Sequence, residues 1–451
     1  STRKESSAAS DVYKRQHTRR LIMSNTLVNG LMSFIDQSPS MFHAADTIIS
    51  QLESNGFSYL DPSSNWNLEV NGKYYVTSNQ SAVIAFIVNS TAVENEGFKI
   101  VGAHTDVPGF RIKPNPQMTT ESYVKLNTEI YGGPILNTWL DRPLSAAGRV
   151  ALKSDNVLRP TIKLVDLERP LLIIPNLAIH MNRDVNNGVK LNAQKETLPV
   201  VSYVKEKLEG NIILEEVARK LNVAPSDILE MDLFLYPTEK SCMVGLNEEF
   251  ISASRLDDLS MVYSGLHALL NSSSASGVNV LACFDNEEVG STSKQGANSP
   301  FLGTTLERIA VSLGKSREDY FRALASSFII SADVAHLLHP NYPEKSDPTN
   351  KVLPGNGPAI KLSASCSYTT DSDSFGVFAH LCDSNNIPYQ VFVNRSDERG
   401  GSTIGPVTAS HVAIRSVDIG TPMLSMHSAR ELMASADFIH TTSAMLAFYN
   451  L

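Results

Sequence analysis

The residues that could do chemistry stand where apolar runs stop. FKIVGAH ends in His104, with Asp106 two residues on, and VLACFDN leads into Glu287 and Glu288. FIISAD ends in Asp333, TPMLSM runs into His427, and Asp257 in SRLDDLS stands just ahead of a helical pattern. Imidazoles and carboxylates together are the donor set of adjacent, hard to borderline divalent ions. A carboxylate can also bridge two ions, which Lys or Asn cannot do. On an extended strand, residues two apart point the same way, so Asp106 can reach the His104 ring and fix its tautomer. The Glu287–Glu288 pair divides naturally: one carboxylate binds metal and its neighbour accepts a proton from a water acidified by the ions. The chemistry such a set could support is hydrolysis, with metal-activated water attacking a bound peptide carbonyl.

Each of these residues alone has an ordinary explanation, a turn for HTD and a solvated face for adjacent glutamates, and single motifs have a high false-positive rate. Their common placement carries more weight. Open α/β sheets gather ligands at the carboxyl ends of their strands, so four strand ends are expected to deliver these groups to one rim. Carboxylates following apolar strands are costly unless a partner or a metal meets them.

The elements that must position them read as follows. Ser40 caps a helix in which Ala44, Ile48 and Leu52 recur at helical spacing before Gly56. Strand-like runs follow at 74–78, 81–89 and 98–106, and again at 278–286, 328–334 and 389–394. Helical patterns lie at 259–270 and 429–449, and roughly 210–230 also reads as helical. SSSASG at 272–277 reads as a flexible loop inside a domain, not as a linker. From Pro108 the texture changes to short strands rich in Pro, Gly, Asn and Thr. The expectation is an α/β fold with a central mixed sheet flanked by helices. The α/β domain carrying these residues would be discontinuous, 23–107 and 241–451, with 108–240 inserted as a β-rich domain. Residues 1–22 read as a disordered leader or assembly scar ahead of Met23, with no apolar run of the signal-peptide kind.

Composition narrows the classes. The chain has 451 residues, a net charge of -9, 42% apolar and 19% charged residues. An acidic balance argues against a nucleic-acid protein, and no apolar stretch approaches the roughly 18–20 residues of a membrane helix. The four cysteines, Cys242, Cys283, Cys366 and Cys382, are far apart with no CxxC pair, which fits a reducing, cytoplasmic setting. Ser402 in GGSTIG lacks the GxSxG spacing of a nucleophile elbow, and the segment has no P-loop Lys.

Seven segments in order, VGAHTDVPGFRIKP, LAIHMNRDVNNG, SASRLDDLS, FDNEEVGS, SADVAHLLHPNY, RSDERGGSTIGP and SMHSARE, resemble the aspartyl aminopeptidase family of metallopeptidases from about residue 41 onward. The resemblance implies two ions, zinc first, with manganese and cobalt also compatible with the donor set. His104, Asp257 and Asp333 would hold one, and Asp257, Glu288 and His427 the other, Asp257 bridging. Glu287 would be the general base and Asp106 the support of His104, and the Asp257–Asp258 peptide would be cis. Family members form tetrahedral dodecamers in which the inserted domain makes subunit contacts, so His180 would reach a neighbour's site. Lys361 and Tyr368, with His339 nearby, would meet an acidic side chain at the peptide N-terminus. Two positions depart from the family pattern: Val107 replaces a usual Ser, and Gly400 a common Cys. Neither supplies a ligand, so they bear on fine specificity.

The leading expectation is an aminopeptidase for N-terminal Asp and Glu. The competing ones are the same chemistry with a neutral, leucine-type preference, and an inactive oligomeric scaffold. The scaffold reading requires the loss of a ligand or base, and every one is present in the sequence.

Overall fold

A computed structural model describes residues 26–188, 190–205 and 210–451; the leader reading for 1–22 falls outside them. Three sheets organise the described residues. The largest has nine strands, with four parallel neighbours at its centre: Val278–Phe284, Phe98–His104, Phe328–Ala332 and Arg415–Gly420. These strands are buried nearly throughout because both faces are covered, and the first three are largely apolar as well. Along Phe98–His104, Val101 and Ala103 enter one apolar cluster while Phe98 and Ile100 enter the other. The first cluster is closed by helices 26–36, Met41–Ser54, Leu256–Leu270, Ser372–Ser384 and Ser435–Tyr449. The second is closed by Phe301–Ser312 and Arg317–Ala325. Parallel order brings all four carboxyl ends to one edge.

A six-stranded antiparallel sheet uses residues between 109 and 237, in the order Thr161–Asp166, Leu144–Leu152, Ile228–Pro237, Gly109–Thr120, Tyr123–Tyr131, Val200–Tyr203. It has its own core, in which Phe110, Trp139, Val150 and Leu233 meet Ile213 and Val217 of the helix Ile212–Leu221. A five-stranded sheet joins Cys242–Val244, Phe250–Ala253, Glu431–Ala434, Pro422–Leu424 and Ala335–His336.

The structure corrects two helix expectations. The helical pattern near 210–230 stops at Leu221, where Asn222 turns left-handed (φ 53°), and ILEMDL lies in the strand Ile228–Pro237. That strand pairs along its length with Leu144–Leu152, a partner some 80 residues away that local propensity does not report. Likewise the last helix begins at Ser435 rather than 429, because Glu431–Ala434 pairs with Phe250–Ala253. The cap by Ser40 and the breadth of Met41–Ser54 match expectation. SSSASG is a loop whose Ser274 hydroxyl and Ser276 carbonyl accept from the buried Lys99 ammonium at 2.8 and 2.9 Å.

Candidate metal centre

Three of the expected strand ends do reach one rim. His104 closes its strand, Asp333 follows Ala332, and Glu287 and Glu288 follow Phe284 through a left-handed turn at Asn286 (φ 63°). His427 is a correction to the four-end picture. It follows Pro422–Leu424 of the five-stranded sheet and approaches the rim from outside the large one. The TPMLSM run looks the same whichever sheet it joins, so sequence did not separate the cases. Asp257 sits at the start of Leu256–Leu270 with non-helical backbone angles, and the Asp257–Asp258 peptide is cis.

At the centre, the two oxygens of Asp257 face different imidazoles. Oδ1 is 3.5 Å from His104 Nε2, and Oδ2 is 3.3 Å from His427 Nε2. Glu288 Oε1 lies 3.4 Å from the same His427 nitrogen. Candidate ligand atoms of His104, Asp257, Asp258 and Asp333 lie within 4.8 Å of one another, as do those of Asp257, Glu288 and His427. Asp257 belongs to both groups. His104, Asp257, Asp258 and Asp333 are buried, and Glu288 and His427 are partly exposed. Asp257 Oδ1 and Asp258 Oδ1 have no hydrogen-bond partner, a costly state for buried carboxylates that divalent ions would relieve. The donor set and the unpartnered oxygens therefore fit metal.

The electrostatics carry the same message. Burial raises Glu287 to about 7, against the opposing pull of His104 and with further help from neighbouring acids. Burial also lifts Glu288 and Asp258 well above the carboxylate range. Burial disfavours charge on His427, but Asp257 and Glu288 overcome it and raise the imidazole to about 10. Protons crowd where cations would otherwise sit.

Around this centre lie the expected support of His104 by Asp106 and further supports the sequence reading missed. Asp106 meets the His104 ring twice, through its carbonyl at 3.0 Å and its carboxylate at 3.4 Å. Its shorter carboxylate contacts go elsewhere: it accepts from the amides of Glu287 and Glu288 at 3.0 and 3.1 Å and from the Tyr131 hydroxyl at 2.8 Å. Tyr131, which comes from the six-stranded sheet, also accepts from the Asn286 amide at 2.8 Å. Two residues on, the Gly133 carbonyl lies 3.1 Å from His427 Nδ1. Gly132 between them has φ 66°, and a Cβ there would lie 3.1 Å from Glu288 Cβ, so glycine fits both the backbone and the space. Glu431 accepts from the amides of Asp257 at 3.1 Å and His427 at 2.8 Å, tying both together. Burial pushes its carboxyl to about 8. Tyr131–Gly133 offered no signal beyond a turn-like YGGP. Glu431, inside SMHSARE, could have been suspected as an acid in an otherwise buried strand.

A cleft of about 480 Å³ exposes His104, Glu287, Asp333 and His427, with Lys361 and Tyr368 beyond Asp333. Lys361 is 4% exposed; its Nζ is 3.7 Å from Asp333 Oδ2 and 5.5 Å from the Tyr368 ring centre. Burial works against its charge, but Asp333, Tyr368 and Asp418 keep its pKa above the ordinary value. His339 borders a neighbouring cavity of about 330 Å³, and His336 lines both spaces. His180 lies on an exposed turn away from the cleft of its own chain. All four cysteines are free. Among the described residues no helix is long and apolar enough to cross a membrane.

Comparison with known proteins adds independent findings. Residues 34–449 match the model of the aminopeptidase I zinc metalloprotease family, M18. The probable M18 family aminopeptidase 2 of Clostridium novyi (strain NT) is 55% identical over 425 residues, spanning 94% of this chain and 98% of that protein. A chain in a cryo-EM structure of the Ape4 and Nbr1 complex superposes with a TM-score of 0.91 at 35% identity, over 95% of this chain and 86% of that one. A subunit of the S. cerevisiae mApe1 dodecamer superposes with a TM-score of 0.79 at 27% identity, over 94% and 96% of the two chains.

Proposed function

We propose, for a chain that belongs to the aminopeptidase I (M18) family of zinc metalloproteases, that it removes Asp and Glu from the N-termini of peptides at a centre of two divalent ions. The zinc aminopeptidase class comes with the family; the acidic preference and the ion count are our reading. The observation that carries the preference is Lys361. Its buried ammonium lines the cleft and makes no hydrogen bond among the described residues, and its one close acid is Asp333 at 3.7 Å. If Asp333 is a metal ligand, its charge is committed there, and Lys361 is left to a substrate carboxylate.

In this reading His104, Asp257 and Asp333 hold one ion, and Asp257, Glu288 and His427 the other. When bound, the ions lower the pKa of water and stabilise negative charge developing on the scissile carbonyl oxygen. The Glu287 carboxylate takes the proton of the attacking water and passes it to the leaving amine. Asp106 aims Glu287 by holding its amide, and supports His104 as well. Lys361 pairs with the side-chain carboxylate of the first residue and Tyr368 walls the same space. His339 borders the adjoining cavity, where the following residues of the peptide can lie.

The catalytic domain then comprises 23–107 and 241–451, with 108–240 as an oligomerisation domain in a tetrahedral dodecamer. Tyr123, Ile173 and Tyr203, 56%, 40% and 77% exposed beside the edge strand Val200–Tyr203, are apolar surface suited to such contacts. His180 would act in a neighbouring subunit. The test is release of amino acids from Asp-, Glu-, Leu- and Ala-initiated peptides, with and without chelator. Chelator-sensitive release of Asp or Glu supports the proposal. Release of Leu instead overturns the role of Lys361, and no release by metal-replete protein favours a scaffold.

A further inference from the structure

Asp418 is fully buried on the central strand Arg415–Gly420 and belongs neither to the metal-binding cluster nor to the cleft lining, although its charge is felt by Lys361 and Asp333. In the strand register it stands beside Ser331. Its carboxylate is filled by donors from three separate elements. Oδ1 accepts from the Ser331 hydroxyl at 2.5 Å and the Thr403 hydroxyl at 2.6 Å. Oδ2 accepts from the Thr369 amide at 2.6 Å and the Thr369 hydroxyl at 2.8 Å. Its own amide donates to the Thr370 hydroxyl at 2.9 Å.

The tethered pieces are the walls of the cleft. Thr369 follows Tyr368, and Thr403 ends the Gly401–Thr403 segment, both of which line it. Thr403 also caps the helix Ile404–His411, accepting from the Gly405 amide at 3.3 Å. A Cβ on Gly405 would come within 2.5 Å of Asp418 Oδ2, so the helix lies directly on the carboxylate. Neither wall segment is a strand of the large sheet, and a buried, charge-assisted hub is a means of fixing two such loops in one geometry.

We infer that Asp418 is a positioning residue that pins the Tyr368–Thr370 and Gly401–Thr403 walls to the central sheet and so sets substrate affinity and side-chain selectivity, not the chemical step. This rests on the proposed role of the cleft as the peptide site. His104, Asp257, His427, Glu287 and Glu288 are held by Asp106 and Glu431 instead, so wall movement should reach the side-chain pocket before it reaches the reacting carbonyl.

The experiment compares zinc-replete wild type, Asp418→Asn, Thr403→Val and Thr403→Ser. It measures KM and kcat on Asp- and Leu-initiated peptides, zinc content, and amide hydrogen exchange. Asp418→Asn should raise KM for the Asp peptide at least 10-fold and change kcat less than 3-fold, with zinc retained. Exchange should rise in 367–371 and 401–406 but not in 98–104. Thr403→Val should reproduce a smaller part of both effects, and Thr403→Ser, which keeps the hydroxyl donor, should return both toward wild type. Unchanged exchange in both segments, or kcat falling in step with zinc content, would overturn the inference. If Asp418→Asn fails to fold, Thr403→Val alone decides by the same criteria. Exchange needs no substrate, so an inactive wild type would refute the proposed function while leaving the tethering measurable.

Discussion

Two sites of buried acid meet the central strands of the same sheet, Asp257 and Asp258 facing His104 and Asp418 beside Ser331, and they are built in opposite ways. Around Asp257 and Asp258, carboxylates crowd together and two oxygens find no partner; burial raises Asp258 and Glu288, while on Asp257 burial is overcome by the His104 and His427 imidazoles, which hold it below the usual carboxylate range. Around Asp418, one carboxylate receives four hydrogen bonds and no ionisable donor is needed. The first arrangement leaves buried oxygens that added positive charge would satisfy; the second is satisfied by the chain's own donors. Burial alone therefore does not mark a functional acid. What separates a candidate metal ligand from an acid that positions its neighbours is whether the chain supplies the donors.

The largest break in this contrast should come from removing metal. Exhaustive chelation is expected to abolish peptidase activity and lower the melting temperature, because ligand binding to the native state alone stabilises it. Calorimetry before and after zinc is restored would show it, and an unchanged melting temperature would mean that the crowded acids do not depend on an ion.

Next in size is Glu287→Gln, which keeps shape but removes the proton acceptor. A kcat loss on the order of 10²–10⁴ with zinc content intact is expected; retention of wild-type kcat would move the base elsewhere. Glu431→Gln tests the layer beneath. An amide cannot accept equally from Asp257 and His427, so zinc affinity should fall about 10–100-fold in competition titrations. Equal affinity would make Glu431 packing only.

Lys361→Met should raise KM for Asp- and Glu-initiated peptides roughly 10–100-fold, the worth of a hydrogen bond to a charged group. Leu-initiated peptides should be unaffected or improved, and a uniform loss across all peptides would assign Lys361 to structure. The smallest effect concerns Asp437, a buried acid between the two extremes. It accepts from the amides of Gly355 and Gly357 at 2.9 and 2.7 Å, yet burial pushes it up to about 6 from 3.8. The native state then binds more protons than the unfolded chain, so this group's contribution to stability falls as pH rises from about 3.8 through about 6. Asp437→Asn should flatten that part of a melting temperature–pH profile, and an identical slope would contradict it.

The amino-acid order by itself determined the α/β class and the candidates His104, Glu287, Glu288 and Asp333. Buried parallel strands announce themselves as apolar runs, and their ends are where polar groups can emerge. It also specified the capped helix at Met41 and, through seven ordered segments, the family. Tertiary structure alone decided the rest. His427 arrives from a second sheet, ILEMDL becomes a strand by pairing with a distant partner, and Tyr131 and Gly133 reach the centre from the six-stranded sheet. Glu431 and Asp418 look like ordinary acids in the sequence, since their donors lie as far as 174 residues away. Periodicity records which face of an element is buried. It holds no record of which remote amide or hydroxyl will meet a given carboxylate, and that meeting separates an acid awaiting a cation from one that holds a wall in place.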